Sequence, residues 1–381
     1  MSRQRSILVV LYYYLPYISG LTEYARRLAE ALVENGAEVT VVSTQYERDL
    51  PTDETIRGVR VLRYPVWMKF NKGVVSPAFM SAIVRLAKVH DVVQFHLPLP
   101  DAGLVAPFLT KSKVIVTYHC DVTLGRGLVN GCLEMTSYWL MNFAMANAKR
   151  IVGNSRQYFH VSRFAKYMNK FQQIYPPIDT SFFHKVPDIG FLQGFGVRGE
   201  SYKIGFCGRL VYEKGISFLL ESLRLLGEID DLQLVIAGDD KNVAGGGIKT
   251  HLDTLAREHP DRVFFLGNLS SAELRCFYSE IDVLVLPSID PNESFGMVQV
   301  EAMCCGTPVV ASDLPGVNEV ISVSGFGQLA IPRSAADLAD KILRVYRHDF
   351  SETGFERHNW DIASTVASYL SLIEEVATSG S

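Results

Sequence analysis

The chain has 381 residues, 48% hydrophobic and 20% charged, which predicts about two domains and excludes disordered, collagen-like and low-complexity architectures. Six cysteines, none in a CxxC arrangement, exclude a disulfide scaffold and speak against structural zinc. The net charge of −4 divides unevenly: residues 1–180 hold 21 Lys and Arg against 13 Asp and Glu, the remainder 16 against 28, so the first half suits phosphates or an anionic membrane surface.

Arg3 and Arg5 ahead of an apolar run resemble a signal peptide, but three tyrosines and Pro16 interrupt the run and no small-residue cleavage site follows. Residues 7–11 (ILVVL) are instead expected as a parallel strand covered on both faces. After a turn with Pro16, Ser19 and Gly20, residues 22–36 read as an amphipathic helix with Tyr24, Leu28 and Leu32 on one face and Gly36 as its stop. Strands follow at 38–43, 91–95 and 114–118. Residues 135–148 are the longest other uncharged run, too short and too polar to span a bilayer. The protein is expected in the cytoplasm, with reduced cysteines. Residues 155–171 place Arg156, His160, Arg163, Lys166 and Lys170 at helical spacing among Tyr158, Phe159, Phe164 and Tyr167. That pattern fits a basic helix on a membrane surface or an ordinary surface helix, and both readings stay open. Trp67, Met68, Lys69 and Phe70, beside Lys72, form a second such candidate.

The alternation restarts after Pro176 and Pro177, with a linker expected over 176–200. Strands are expected at 203–207, 232–237, 263–266, 282–286 and 308–311, and helices at 215–226 and 295–304. Ser270 and Glu273 match a capping box, residues 241–247 read as a loop, and 362–377 as a last helix. Strand–helix alternation in both halves makes this an α/β protein of doubly wound domains, whose chemistry belongs at the carboxyl ends of the strands.

Three constellations sit there. Glu293, Ser294, Phe295 and Gly296 follow the strand at 282–286 and open a helix that carries Glu301. The amides of Ser294 to Met297 suit an anion, and Gly296 admits a phosphate close to the backbone. Glu293 and Glu301 straddle that position and can each accept from vicinal hydroxyls, one from a sugar and one from a ribose. Arg209 and Lys214 stand at a second strand–loop–helix junction and suit a diphosphate, unless Arg209 only pairs with Glu213. His119 follows the strand at 114–118, where it can meet sugar hydroxyls or serve as a structural histidine; Asp121 is its acidic neighbour. Cys207, Cys304 and Cys305 read as small buried hydrophobes. No GxGxxG follows the first strand, which speaks against a dinucleotide.

Glu293 and Glu301, eight positions apart within ESFGMVQVEAMCCGTPVV, resemble the EX7E motif of the family 4 glycosyltransferases, and the resemblance extends over the whole chain. It implies the GT-B fold, two Rossmann-like domains facing across a cleft: an acceptor domain at 1–185, with a C-terminal helix at about 360–381 packing back on it, and a donor domain at 186–359. It implies a retaining transfer from a UDP- or GDP-sugar to a glycan, lipid-linked or small-molecule hydroxyl. No metal, other cofactor or protein nucleophile takes part, and no nucleic acid is a partner. Arg209 and Lys214 would hold the pyrophosphate in place of a metal, Glu301 the ribose, Glu293 the sugar, and His119 the sugar from the other domain. The amides of Ser294, Phe295, Gly296, Met297 and Gly20 would meet phosphates, although Ser19 stands where the family usually has a second glycine. No Asp-x-Asp stands where a metal-dependent sugar transferase would use it. Gly238, Asp239 and Asp240 match a nucleotide edge, while Ser312, Asp313, Gly316 and Glu319 match a segment that shapes the site. Lipid-linked acceptors would place the enzyme at the inner membrane face. A GT-B epimerase or phosphorylase, or a non-catalytic sugar-nucleotide-binding subunit, stays open as an alternative.

Overall fold

The computed structural model describes residues 4–70, 73–125, 127–238, 248–351 and 355–378. The expectations for Arg3, Lys72, Asp239, Asp240, the loop 241–247 and the Phe70 side chain lie outside them. The chain forms two units, Met1–Pro177 with Ile362–Ser381, and Ile178–Asp361.

The first unit is built on an eight-stranded sheet. In chain order its strands are β1 (Ser6–Val10), β2 (Glu38–Gln45), β3 (Asp53–Ile56) and β4 (Val59–Pro65). A separate hairpin of β5 (Met68–Phe70) and β6 (Gly73–Val75) follows. The sheet then continues with β7 (Val92–Leu97), β8 (Val114–Tyr118), β9 (Arg150–Gly153) and β10 (Phe171–Gln173). The strand order is β10-β9-β8-β7-β1-β2-β4-β3, parallel except for β3 on β4. Helices α1 (Gly20–Glu34), α2 (Pro77–Leu86), α3 (Pro100–Val105), α4 (Leu128–Asn147) and α5 (Arg156–Val161) lie in the same unit. Strand β1 shows why its sequence is apolar from Ile7 to Val10. Ile7 and Val9 pack with α1 residues on one face, and Leu8 and Val10 with α2 and α4 residues on the other.

The second unit is a six-stranded, all-parallel sheet of β11 (Tyr202–Cys207), β12 (Leu232–Ala237), β13 (Val263–Gly267), β14 (Val283–Leu286), β15 (Val309–Ser312) and β16 (Gly327–Ala330). Its order is β13-β12-β11-β14-β15-β16. Helices α6 (Ile216–Ser222), α7 (Lys249–Ala256), α8 (Ser271–Glu280), α9 (Met297–Cys304), α10 (Val317–Ser324) and α11 (Ala335–Tyr346) connect the strands. Ser270 and Glu273 form a capping box ahead of α8. The last helix, α12 (Ile362–Thr378), returns to the first unit.

Several sequence expectations are corrected. The first boundary falls at Pro177 rather than residue 185, because 178–183 pack into the second unit. There Thr180 donates to Asp361 at 3.1 Å, and the ring of Phe183 meets Tyr278 at 6.0 Å. Trp360 also belongs to the second unit, where its ring packs on Phe295, so only Ile362 onward rejoins the first. Residues 215–226 divide into α6 and a 3-10 turn at Leu223–Leu225, and α9 starts at Met297, not 295. Residues 155–171 are not one helix: α5 stops at Val161, and a 3-10 segment runs Ala165–Lys170. Of its cations, Arg163 pairs with Glu134 and lies 4.2 Å from the Tyr138 ring centre, and Lys170 donates to the Ala146 and Ala148 carbonyls. Among the described residues no helix is long and apolar enough to cross a membrane.

A buried polar chain fastens α12 to the first sheet. The Tyr369 hydroxyl lies 2.8 Å from that of Tyr24 on α1 and 3.1 Å from Oγ1 of Thr117 on β8. Gln94 of β7 donates to the same Thr117 oxygen at 2.8 Å. Buried hydroxyls must be partnered, so this chain explains a glutamine and a threonine inside strands otherwise apolar. Tyr369→Phe strips a partner from both Tyr24 and Thr117 and should destabilise the protein by about 1–3 kcal/mol, read as a lower urea midpoint at unchanged slope.

Candidate functional site

In the second unit the carboxyl ends of the adjacent strands β11 and β14 release two loops that lean on each other. Gly215 has φ +67°, and a Cβ there would stand 2.0 Å from the Pro287 carbonyl oxygen, so only glycine fits. The Ile289 amide donates to the Glu213 carbonyl at 2.9 Å. These backbone contacts bring Lys214 and Glu293 together, and Lys214 Nζ donates to Glu293 Oε2 at 2.7 Å. Both side chains keep about a fifth of their surface exposed, at 17% and 20%. The Glu213 partner considered for Arg209 is not taken. Arg209 is exposed and makes no ion pair among the described residues.

Glu301 sits on the same edge, one turn into α9, and is only 4% exposed. The Tyr278 hydroxyl donates to its Oε2 at 3.2 Å. The Cys207 thiol ends β11 among these groups. Burial pushes it up to about 12, against a weaker opposing pull from a Tyr278 hydrogen bond, while Glu301 raises it and Lys214 lowers it. Burial likewise pushes Cys304 up to about 12 and Cys305 to about 11, so all three stay thiols. Asp290 is raised by burial and then by the neighbouring Glu213 and Glu293 carboxylates.

The loop before α9 is fixed by backbone demands and by a residue the sequence reading passed over. Gly296 has φ +76° and a Cβ there would meet Leu286 at 2.5 Å. Its glycine is thus required by the fold itself, apart from any phosphate. The Gln299 amide donates to the Phe295 carbonyl at 2.7 Å and to the Val317 carbonyl at 3.0 Å, tying this loop to α10. Gly316 passes so close that a Cβ would lie 2.4 Å from the Ser294 carbonyl oxygen. Phe295 is buried against Trp360, while Ser294 and Met297 are half-buried. At the β12 end, a Cβ on Gly238 would lie 1.9 Å from the Gly208 carbonyl oxygen, so two strands pinch together beside Arg209.

In the first unit Gly20 opens α1 behind a Ser19 capping box with Thr22, and a Cβ at Gly20 would meet nothing within 4 Å. His119 is 7% exposed, and its Nε2 lies 2.9 Å from Nδ1 of His96, with the rings stacked at 5.1 Å. The Tyr24 ring stands edge-on to both. Burial drives His119 down to about 3 and His96 well below its ordinary value, His119 adding to the effect on His96. The pair is therefore neutral, with one ring nitrogen donating to the other. His96 was not singled out from the sequence. Its signal was a histidine in the fully buried β7 (VVQFHL), where Gln94 is the other polar residue. Asp121, next to His119 in the motif, instead accepts from the Tyr118 hydroxyl and the Arg163 amide. Among the described residues no three His, Cys, Asp or Glu side chains gather as a metal site would need.

Known proteins resemble the chain over both units. The model described as "Glycosyltransferase Family 4" matches residues 18–182, and that described as "Glycosyl transferases group 1" matches 192–361. A phosphatidyl-myo-inositol mannosyltransferase of Mycobacterium leprae is 35% identical over 381 aligned residues, covering 95% of this chain and 94% of that protein. A D-inositol 3-phosphate glycosyltransferase of Geodermatophilus obscurus is 27% identical, covering 94% and 86%. Among solved structures, the sucrose-phosphate synthase of Thermosynechococcus elongatus superposes with a TM-score of 0.78 at 19% identity, covering 99% of this chain and 100% of that one. An Anabaena protein solved with UDP and glucose gives 0.71 at 20% identity, covering 97% and 100%.

The neutral histidine pair makes stability pH-dependent. Below about pH 6.5 the unfolded chain protonates both imidazoles while the folded chain does not, down to about pH 3 for His119. Stability should therefore fall as pH drops through that window, by up to about 1.4 kcal/mol per pH unit for each histidine. Urea midpoints at several pH values between neutrality and that lower limit check this. A His119→Asn variant should show a shallower slope, and an unchanged slope would sink the assignment.

Proposed function

The chain belongs to the family 4 glycosyltransferases, with their GT-B fold, and on that premise we propose that it moves a sugar from a UDP- or GDP-sugar to an acceptor hydroxyl with retained configuration and without a metal. The observation that carries this reading is the Lys214–Glu293 pair set beside Glu301 at one sheet edge. A departing nucleoside diphosphate builds up negative charge, and Lys214 with the exposed Arg209 would neutralise it. Diphosphate binding draws Lys214 off Glu293, leaving that carboxylate to accept from the sugar hydroxyls. Glu301, held by Tyr278, would take the ribose diol. The amides leading into α9, Ser294 to Met297, and the amide of Gly20 would meet phosphate oxygens. His119, neutral, would offer the sugar a hydrogen bond rather than act as an acid. The departing phosphate itself would guide the acceptor hydroxyl on the same face.

Two relatives are named for inositol-bearing acceptors, which makes an inositol lipid or an inositol phosphate the first acceptor to try. A cell-envelope role and a place at the cytoplasmic membrane face follow if the acceptor is a lipid.

The testing experiment is slow donor hydrolysis across UDP-, GDP- and ADP-sugars with EDTA present. One sugar should appear in its original anomeric form together with its nucleoside diphosphate. Release of the inverted anomer, or release only with a divalent metal, would overturn the mechanism. Glu293→Gln should lower turnover at least about a hundredfold with the fold intact, because an interaction strengthened in the transition state is lost. Arg209→Ala should raise the donor KM about tenfold. Full activity in Glu293→Gln would remove that residue from the site.

A further inference from the structure

We infer that the outer face of α4 is the surface on which this protein lies against an anionic lipid bilayer. Helix α4 holds a single charged residue, Glu134, in its full length from Leu128 to Asn147. Its inner face buries Tyr138, Met141, Ala144 and Met145 in the core of the first unit. A surface helix normally carries polar side chains opposite such a face. Here the opposite face repeats apolar groups three and four residues apart: Leu128, Cys132, Met135, Trp139 and Phe143. Leu128 is 91% exposed, Met135 65% and Trp139 61%. Phe108, on the turn that packs beside α4, is 77% exposed as well. An uncharged stripe of that length in water marks a surface meant to be covered. It also accounts for the uncharged run of the sequence, which is too short to cross a bilayer but long enough to lie on one.

Charge indicates what covers it. The only acid on α4 is held by Arg163. Three lysines gather at the last turn of the helix. Lys170 reaches the Ala146 carbonyl, and Lys166 and Lys170 both lie over the ring of Tyr167, whose hydroxyl donates to Asn142 of α4. Lys111 lies near enough that, after burial, its charge lowers the Lys170 ammonium. An apolar stripe bordered by lysines matches acyl chains beneath anionic headgroups. A second copy of the chain would bring the same cations to the same interface.

The inference goes beyond the transferase reading and does not rest on it. The test is flotation of the full chain with vesicles of phosphatidylcholine alone, and with vesicles containing about one-third phosphatidylglycerol. Binding is expected to the anionic vesicles only, and to weaken with salt. Trp139→Glu should lower that binding at least about tenfold while circular dichroism and melting stay unchanged. Lys111→Glu combined with Lys166→Glu should lower it as well. Failure of the unaltered chain to float, or undiminished binding by Trp139→Glu, would overturn the inference. So would a dimer in light scattering that Trp139→Glu splits, which would assign the face to a second copy. Glu293→Gln should float like the unaltered chain, so this outcome and that of the donor experiment are read separately.

Discussion

The second unit depends on how closely backbones approach one another at one edge of a parallel sheet. Gly215 lies against Pro287, Gly316 against Ser294, and Gly238 against Gly208, each with no room for a Cβ. Four strand ends, those of β11, β12, β14 and β15, and the loops leaving them are thereby drawn close to one another. A lysine and a glutamate from different loops then meet at 2.7 Å without long side-chain excursions. The geometry of the ion pair rests on the approach of Gly215 to Pro287, which brings together the two loops that carry it. Its energy is secondary, since a pair that keeps about a fifth of its surface in contact with water contributes little to stability. Each of the two side chains takes the other as its partner.

The two units treat polar groups in opposite ways. In the first, the chain from Gln94 through Thr117 and Tyr369 to Tyr24 is uncharged, and so are His96 and His119 beneath it. Burial excludes charge there, and each polar atom is satisfied by another neutral one. In the second unit Lys214 and Glu293 keep about a fifth of their surface exposed and pair with each other, while Glu301 is buried against the Tyr278 hydroxyl.

Much of this was legible in the residue pattern, and the failures have physical causes. The α/β alternation, the Ser270–Glu273 capping box and the glycines beside Arg209 and Glu293 were readable, because each reflects local geometry. The Lys214–Glu293 contact was not, since the partners are 79 positions apart and only strand adjacency joins them. His96 was hidden because a buried strand reads as uniformly apolar, and a single imidazole in it looks like noise. The basic periodicity over 155–171 suggested one helix, but Ser162 ends it. Its hydroxyl donates to the Phe159 carbonyl and accepts from the Phe164 amide, offering the backbone an alternative to the helical bonds. The boundary near Pro177 was misjudged because prolines and glycines mark irregular chain, and the irregular chain here is packed.

The return of α12 gives the two units unequal histories during synthesis. The second unit is continuous from Ile178 to Asp361, so it amounts to an insertion within the first. All its strands have left the ribosome before the first unit receives the Tyr369 that closes its polar chain. Until then Thr117 and Tyr24 wait for a hydroxyl partner, and a patch of the first sheet lies uncovered. The unit begun first is finished last, reversing the usual N-terminal-first order of domain folding. A chain cut short after residue 361 would yield a whole second unit attached to an unfinished first one.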